Sequence, residues 1–299
     1  MRDLRASAST MRLMRYGNLV RSHMGLLGAM AHSGHGQTGP PMLLEAAEEL
    51  FQLVLSVAAM YFALRLLLRL QRSRWSEHID RRRAAVMCLL ALLAATVMVA
   101  EDALNGESRP IDRAALLWLR EHVPPALAPW FEAITFTASS TVLTPLTIAA
   151  TAGLLLTRRR AGALLVAGSV VGAALVVYVM KVIIGRERPA LWEVQWYWGS
   201  SFPSGHTLVI AAFATSMALV AGRVWPGMRV PALVLALVWT ALVGLSRLVL
   251  GVHWPTDVMV AACLGTAIPL AISLALDSRE RAMARHRARV EANSIHGDR

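Results

Sequence analysis

Apolar residues gather in long runs, roughly 50–70, 84–100, 141–157, 161–184, 207–222, 230–246 and 257–276, separated by polar stretches in which arginine recurs. Most of these runs have the roughly 17 to 25 residues that an α-helix needs to cross the hydrocarbon layer. The pattern predicts an all-α, polytopic bundle of transmembrane helices. The first run differs, because Glu45, Glu48 and Glu49 precede it and Arg65 and Arg69 lie near its end. It either spans with its arginines snorkelling to the interface or lies along the surface. The expectation is six core spans plus one possible extra amino-terminal helix.

The arginines between the runs set an orientation. Loop 71–83 carries Arg72, Arg74, Arg81, Arg82 and Arg83; Arg158 to Arg160, Arg223 with Arg229, and the tail from Arg279 follow. Short basic loops stay cytoplasmic, so regions 101–140, 185–206 and 247–256 are expected outside. The first of these is rich in acid, with Glu101, Asp102, Glu107, Asp112, Glu121 and Glu132. If run 50–70 spans, this alternation puts the amino terminus outside, whereas Arg2, Arg5, Arg12, Arg15 and Arg21 favour the inside. The domain expectation is a flexible lead 1–41, an extra apolar helix and basic loop 42–83, a six-helix domain 84–276 and a basic cytoplasmic tail 277–299. The lead has no apolar core followed by a small-residue cleavage site, so no signal peptide is expected, and a start at a later methionine such as Met42 is an alternative.

Composition sharpens this picture. Of 299 residues, 56% are hydrophobic and 16% charged, with a mean hydropathy of +0.50, too apolar for an ordinary soluble domain. The net charge of +11 falls in loop clusters with no nucleic-acid motif, so no nucleic-acid partner is expected. Cys88 and Cys263 lie inside apolar runs without redox or metal spacing and read as buried small hydrophobes. In "AHSGHGQ", His32 and His35 read as incidental histidines of the lead rather than metal ligands.

Some polar residues stand where a bilayer makes them expensive. "KVIIGRERP" holds Lys181 and Arg188 about two helical turns apart, with Pro189 expected to stop the helix. Lys181 is the only lysine in the chain, a compact ammonium among planar guanidinium forks. "SRLVLGVHWPTD" supplies Ser246, Arg247, His253 and Asp257, with Pro255 suited to a first helical turn. A carboxylate four residues after a histidine can hold one imidazole nitrogen and leave the other free to react. In "PSGH", Pro203 and Gly205 shape a turn, Ser204 supplies a hydroxyl or a helix cap, and the helix-start N–H groups offer an anion site beside His206. Ionisable groups converging at membrane depth mark function, and three cations with two histidines suit a phosphate.

These three blocks, Lys-x6-Arg-Pro, Pro-Ser-Gly-His and Ser-Arg-x5-His-x3-Asp, resemble those of the type 2 phosphatidic acid phosphatase (PAP2) superfamily over roughly residues 84–276. The resemblance implies a membrane lipid phosphatase in which His253 is the nucleophile, forming a phosphohistidine, and Asp257 fixes its tautomer. His206 is implied as general acid and then base, and Lys181, Arg188, Ser204, Gly205 and Arg247 as phosphate-binding groups. It implies no metal and no cofactor. Phosphatidic acid, phosphatidylglycerol phosphate and undecaprenyl diphosphate are the candidate substrates, met at the bilayer surface. Trp192, Trp196, Tyr197 and Trp198 suit an anchoring belt there or a gate for the lipid. An arginine-rich, lysine-poor chain suggests a GC-rich bacterial genome, hence the plasma membrane with a periplasmic site. A phosphotransferase on the same scaffold and a non-enzymatic anion transporter are the alternatives; no internal repeat supports the second. A soluble haloperoxidase is excluded by the spans.

Overall fold

The structure is a computed structural model that describes residues 51, 53–66, 82–192 and 199–297. The chain divides into two units, Met1–Phe51 and Gln52–Arg299, and the second carries the elements that follow. Helix α1 is Leu53–Leu66. Helices α2 Arg83–Asn105, α3 Arg109–His122, α4 Ala128–Phe136, α5 Ser140–Leu156, α6 Arg160–Ile184, α7 Gly205–Val224, α8 Arg229–Val249 and α9 Pro255–Gly297 follow, and among the described residues there is no strand. Among the described residues, six stretches are long and apolar enough to cross a membrane: Arg83–Asn105, Pro125–Leu156, Arg160–Ile184, Gly205–Val224, Pro226–Val249 and Pro255–Ala284. The all-α, polytopic bundle expected from the sequence is therefore what the chain forms. The described part of the first apolar run, Leu53–Leu66, has 14 residues and falls short of the length of a span.

Helix α7 is the axis of the bundle. Within its span 61% of the residues are buried, against 11–33% in the other five, and α6, α8 and α9 all pack on it. Its neighbours meet it in a core of Leu143, Leu165, Val166, Ile210, Phe213, Val243 and Leu276, where the Phe213 and Trp239 rings stand edge to face at 6.3 Å. Gly265 of α9 lets that helix lie directly against α7, because a Cβ there would overlap the Leu208 carbonyl and the Ala211 methyl. Large apolar side chains such as Ile148, Val171, Ile183 and Leu237 are exposed around the outside, as lipid-facing positions require. Lipid is as good a solvent for them as the core. Cys88 is exposed and Cys263 half-buried, both free thiols, so the reading of both as buried is corrected: Cys88 belongs to the outward face of α2.

Local chemistry explains where the elements stop. Gly106 closes α2 with φ 82°, and Gly185 closes α6 with φ 66°, a left-handed conformation that glycine adopts without cost. Helix α6 thus ends at Ile184, five residues before Pro189 and earlier than expected. The second span begins at Pro125, well before the expected residue 141, because α4 enters the bundle and breaks at Thr137–Ser139 before α5 continues. The Trp239 indole N–H holds that break by donating to Thr137 Oγ1 at 2.9 Å. At one end of the bundle Asp277 joins Arg82 at 2.9 Å and Arg223 at 2.8 Å, tying together α9, α7 and the residue that precedes α2. Residues 185–192, 199–204 and 250–254 and α3 gather at the other end.

Candidate active site

Three short segments build this end. The Phe202–Pro203 peptide is cis and leads into α7, whose start at Gly205 follows Ser204. Ser204 stands at the N-cap without capping through its side chain; its Oγ instead pairs with Thr207 Oγ1 at 3.0 Å, and its N–H donates to the Asp257 carbonyl at 3.2 Å. That bond couples the start of α7 to the start of α9. Helix α9 begins at Pro255, as the sequence predicts, so Trp254 is its N-cap and Asp257 its third residue. Asp257 Oδ2 reaches back to accept from the Trp254 N–H at 2.9 Å, which is half of a capping box.

His253 is buried just before this helix, 2% exposed. Its Nδ1 faces Asp257 Oδ2 at 3.5 Å, long for a hydrogen bond and without normal hydrogen-bond geometry. Its Nε2 lies 3.4 Å from Arg188 Nη1, which also donates to the Val252 carbonyl at 2.8 Å. Burial pushes the imidazole down to about 4, with Arg247 and Arg188 adding to the effect and Asp257 opposing it. The ring is therefore neutral at physiological pH, with Nδ1 directed to the carboxylate and Nε2 to the cations.

The cations of the first block meet the same spot. Lys181 Nζ donates to the Ser200 carbonyl at 2.5 Å, and Arg188 Nη2 approaches that oxygen at 3.5 Å. Arg247, 1% exposed, donates to Thr135 Oγ1 on α4 at 2.9 Å and acts electrostatically on both His253 and His206. Lys181, Arg188 and His253 are also electrostatic neighbours of His206, which is half-buried at the start of α7 beside Gly205. A cluster of cations around two imidazoles attracts an anion and repels a metal ion. The Trp192 indole packs against Gly251, whose φ is +69° and where a Cβ would come within 2.5 Å of the ring. Arg120 of α3 stands over that indole at 5.4 Å. Trp196, Tyr197 and Trp198, read above as belt or gate, and His32 and His35 lie outside the described residues.

The sequence reading passed over two residues here. Arg186, two positions before Arg188, pairs with Asp257 Oδ1 at 2.5 Å and with Asp112 Oδ2 at 2.9 Å. Asp112 counted only as one acid in an acidic outer region, yet it is 1% exposed. The one signal that pointed to Arg186 was a second arginine, in "GRERP", at a place where cations are costly.

Residues 162–281 match the family described as the PAP2 superfamily. The chain is similar to phosphatidylglycerophosphatase B of Escherichia coli K12, 46% identical over 71 residues, which cover 23% of this chain and 26% of that protein. It is also similar to decaprenylphosphoryl-5-phosphoribose phosphatase of Mycobacterium tuberculosis, 31% identical over 132 residues, 43% of this chain and 68% of the relative. The crystal structure of a transmembrane PAP2-type phosphatidylglycerolphosphate phosphatase from Bacillus subtilis superposes with a TM-score of 0.54 at 27% identity, covering 65% of this chain and 96% of that one. The chain spans about a quarter of the length of phosphatidylglycerophosphatase B, but it covers two thirds of the mycobacterial relative and nearly all of the solved phosphatase's fold. With the three blocks in order on these helices, the chain belongs to the PAP2 superfamily.

Proposed function

We propose that this protein is a membrane lipid phosphatase that hydrolyses a lipid phosphomonoester or diphosphate through a phosphohistidine, without a metal ion. The observation that carries the reading is the approach of Arg188 to His253 Nε2 and, with Lys181, to the Ser200 carbonyl. A tetrahedral anion entering there replaces one carbonyl as the acceptor for both cations and meets the imidazole nitrogen that faces Arg188. Phosphoryl transfer gains most from such positioning and from fixed charge near the equatorial oxygens.

In the first step the Nε2 lone pair of His253 attacks phosphorus while the bond to the leaving oxygen breaks in line. His206, protonated, gives its proton to that oxygen, and the lipid alcohol or lipid phosphate departs. Asp257 stabilises the positive charge that develops on the His253 ring. In the second step neutral His206 takes a proton from water, the water oxygen attacks phosphorus, and the P–N electron pair returns to Nε2. Lys181, Arg188, Arg247, Ser204 and the amides at Gly205 hold the phosphoryl oxygens throughout. Such acid–base help is worth about 10²- to 10⁴-fold.

The substrate class follows from the setting, since the site lies at one end of six apolar helices, where a phosphate in the headgroup layer arrives with its acyl or prenyl chain in the bilayer. The relatives' names, a phosphatidylglycerophosphatase and a decaprenylphosphoryl-5-phosphoribose phosphatase, point the same way. The arginine-rich ends at the opposite side favour a site facing outward from the cytoplasm, in a bacterial plasma membrane. Phosphate release from a panel of lipid mono- and diphosphates tests the reading. Purified protein should turn over at least one of them in the presence of a chelator, and orthovanadate should inhibit; a strict requirement for magnesium would overturn the mechanism. Release of free phosphate, rather than its appearance on an acceptor, separates hydrolysis from transfer.

A further inference from the structure

Asp257 is held by more than its own helix. Its Oδ1 accepts from Arg186 Nη1 at 2.5 Å, its Oδ2 from the Trp254 N–H at 2.9 Å, and Oδ2 is the edge turned to His253. Arg186 fixes the rotation of the carboxylate about its last bond. The same Nη1 donates to Thr256 Oγ1 at 2.8 Å, and Nη2 donates to Asp112 Oδ2 at 2.9 Å. The Trp254 ring lies 5.8 Å from the guanidinium carbon.

Asp112 belongs to α3, far away in sequence. It accepts the Thr256 N–H at 3.1 Å through Oδ1 and the Thr256 hydroxyl at 2.7 Å through Oδ2. Ser108, just before α3, donates to Oδ2 at 3.0 Å. Thr256 is the second residue of α9, whose N–H has no partner within the helix. The N-cap residue Trp254 has no side-chain acceptor to offer it, so Asp112 supplies that acceptor from another element. Asp112, Asp257 and Arg186 are 1%, 0% and 9% exposed at their side chains, a depth at which charged partners are short of water and hold one another rigidly.

We propose that Asp112 and Arg186 are positioning residues for the His253–Asp257 pair: α3, through Asp112, fixes both Arg186 and the first turn of α9, so that Asp257 Oδ2 stays aimed at His253 Nδ1. The proposal rests on the reading of His253 as nucleophile. Both Nη atoms of Arg186 are committed to Asp112, Thr256 and Asp257, on the side of the carboxylate away from the cations that await the anion. Loss of either residue therefore acts on turnover rather than on phosphate binding.

The test uses the full-length chain in detergent, with Asp112→Asn, Arg186→Lys, the double variant and His253→Ala assayed on the lipid phosphate that wild type turns over best. Asn keeps the acceptor for the Thr256 N–H and removes the charge that holds Arg186. Each single variant should lose about tenfold or more in kcat, while KM and the orthovanadate inhibition constant stay within about threefold. The double variant should be no worse than the poorer single, because the residues act as one unit. A loss carried by KM, weakened orthovanadate inhibition, or losses that multiply would overturn the proposal. Wild-type kcat in folded Asp112→Asn overturns it even if Arg186→Lys fails to fold. His253→Ala separates the two levels: if it keeps turnover, the nucleophile reading falls and this proposal with it. If it is inactive while Asp112→Asn and Arg186→Lys match wild type, only the positioning role falls.

Discussion

His253 combines three properties that a nucleophile needs: burial, a carboxylate behind one nitrogen and cations before the other. Its imidazole is held down to about 4, from 6.5 in an open chain, chiefly by burial. Between these values the unfolded chain binds more protons, so the stability linked to this ring is fully present above 6.5 and is lost as pH falls through 4. Wild type in detergent should melt at progressively lower temperature across that window, and His253→Gln should show a shallower decline. An equal slope in both would show that other groups carry the acid sensitivity. Substitution by Ala should reduce phosphate release by about a thousandfold or more while the melting transition at neutral pH persists. Normal turnover in that variant would remove His253 from the mechanism. Most candidate residues were legible in the sequence because cations and histidines stand out against apolar runs. Arg186 and Asp112 were not, since their roles come from contacts between positions 70 or more apart, which spacing within one block does not encode.

Helices carry the site because their starts and stops fall at the right depth. Gly185 releases the chain from α6 so that Arg186 and Arg188 turn to different partners, whereas a helix running on to Pro189 would have kept Lys181 and Arg188 on one face. The starts of α7 and α9 sit side by side through the Ser204–Asp257 backbone bond, and Gly265 keeps these two helices in close contact. Gly265→Leu should push them apart, costing about 1–3 kcal/mol by overpacking and lowering turnover along with the melting temperature. Unchanged stability and activity in that variant would mean that the contact does not position the site. Five of the six spans followed the apolar runs closely because a bilayer demands continuous hydrophobic length. The part of the second span before the break did not show in the sequence: Thr137, Ser139 and Ser140 interrupt the apolar run, and the bond from Trp239 that supports the break is tertiary.

At the scale of the molecule, two ends of different chemistry face opposite sides of an apolar waist. One is closed by Arg82, Asp277 and Arg223; the other gathers His206, His253, the lone lysine and the Asp112–Arg186–Asp257 network. In a variant with Cys88 and Cys263 replaced by Ala, a cysteine at exposed Glu121 should react with an impermeant maleimide on intact cells. One at exposed Arg159 should react only after permeabilisation. The reverse labelling would invert the orientation and place the site in the cytoplasm. The central claim is that groups from three separate parts of the chain surround one phosphoryl group, and a structure of the protein with bound orthovanadate tests it most directly. Vanadium bonded to His253 Nε2, with Lys181, Arg188 and Arg247 on its equatorial oxygens and His206 at the opposite apex, is the predicted result. Vanadate bound elsewhere, or bound with His253 turned away from it, would contradict the account.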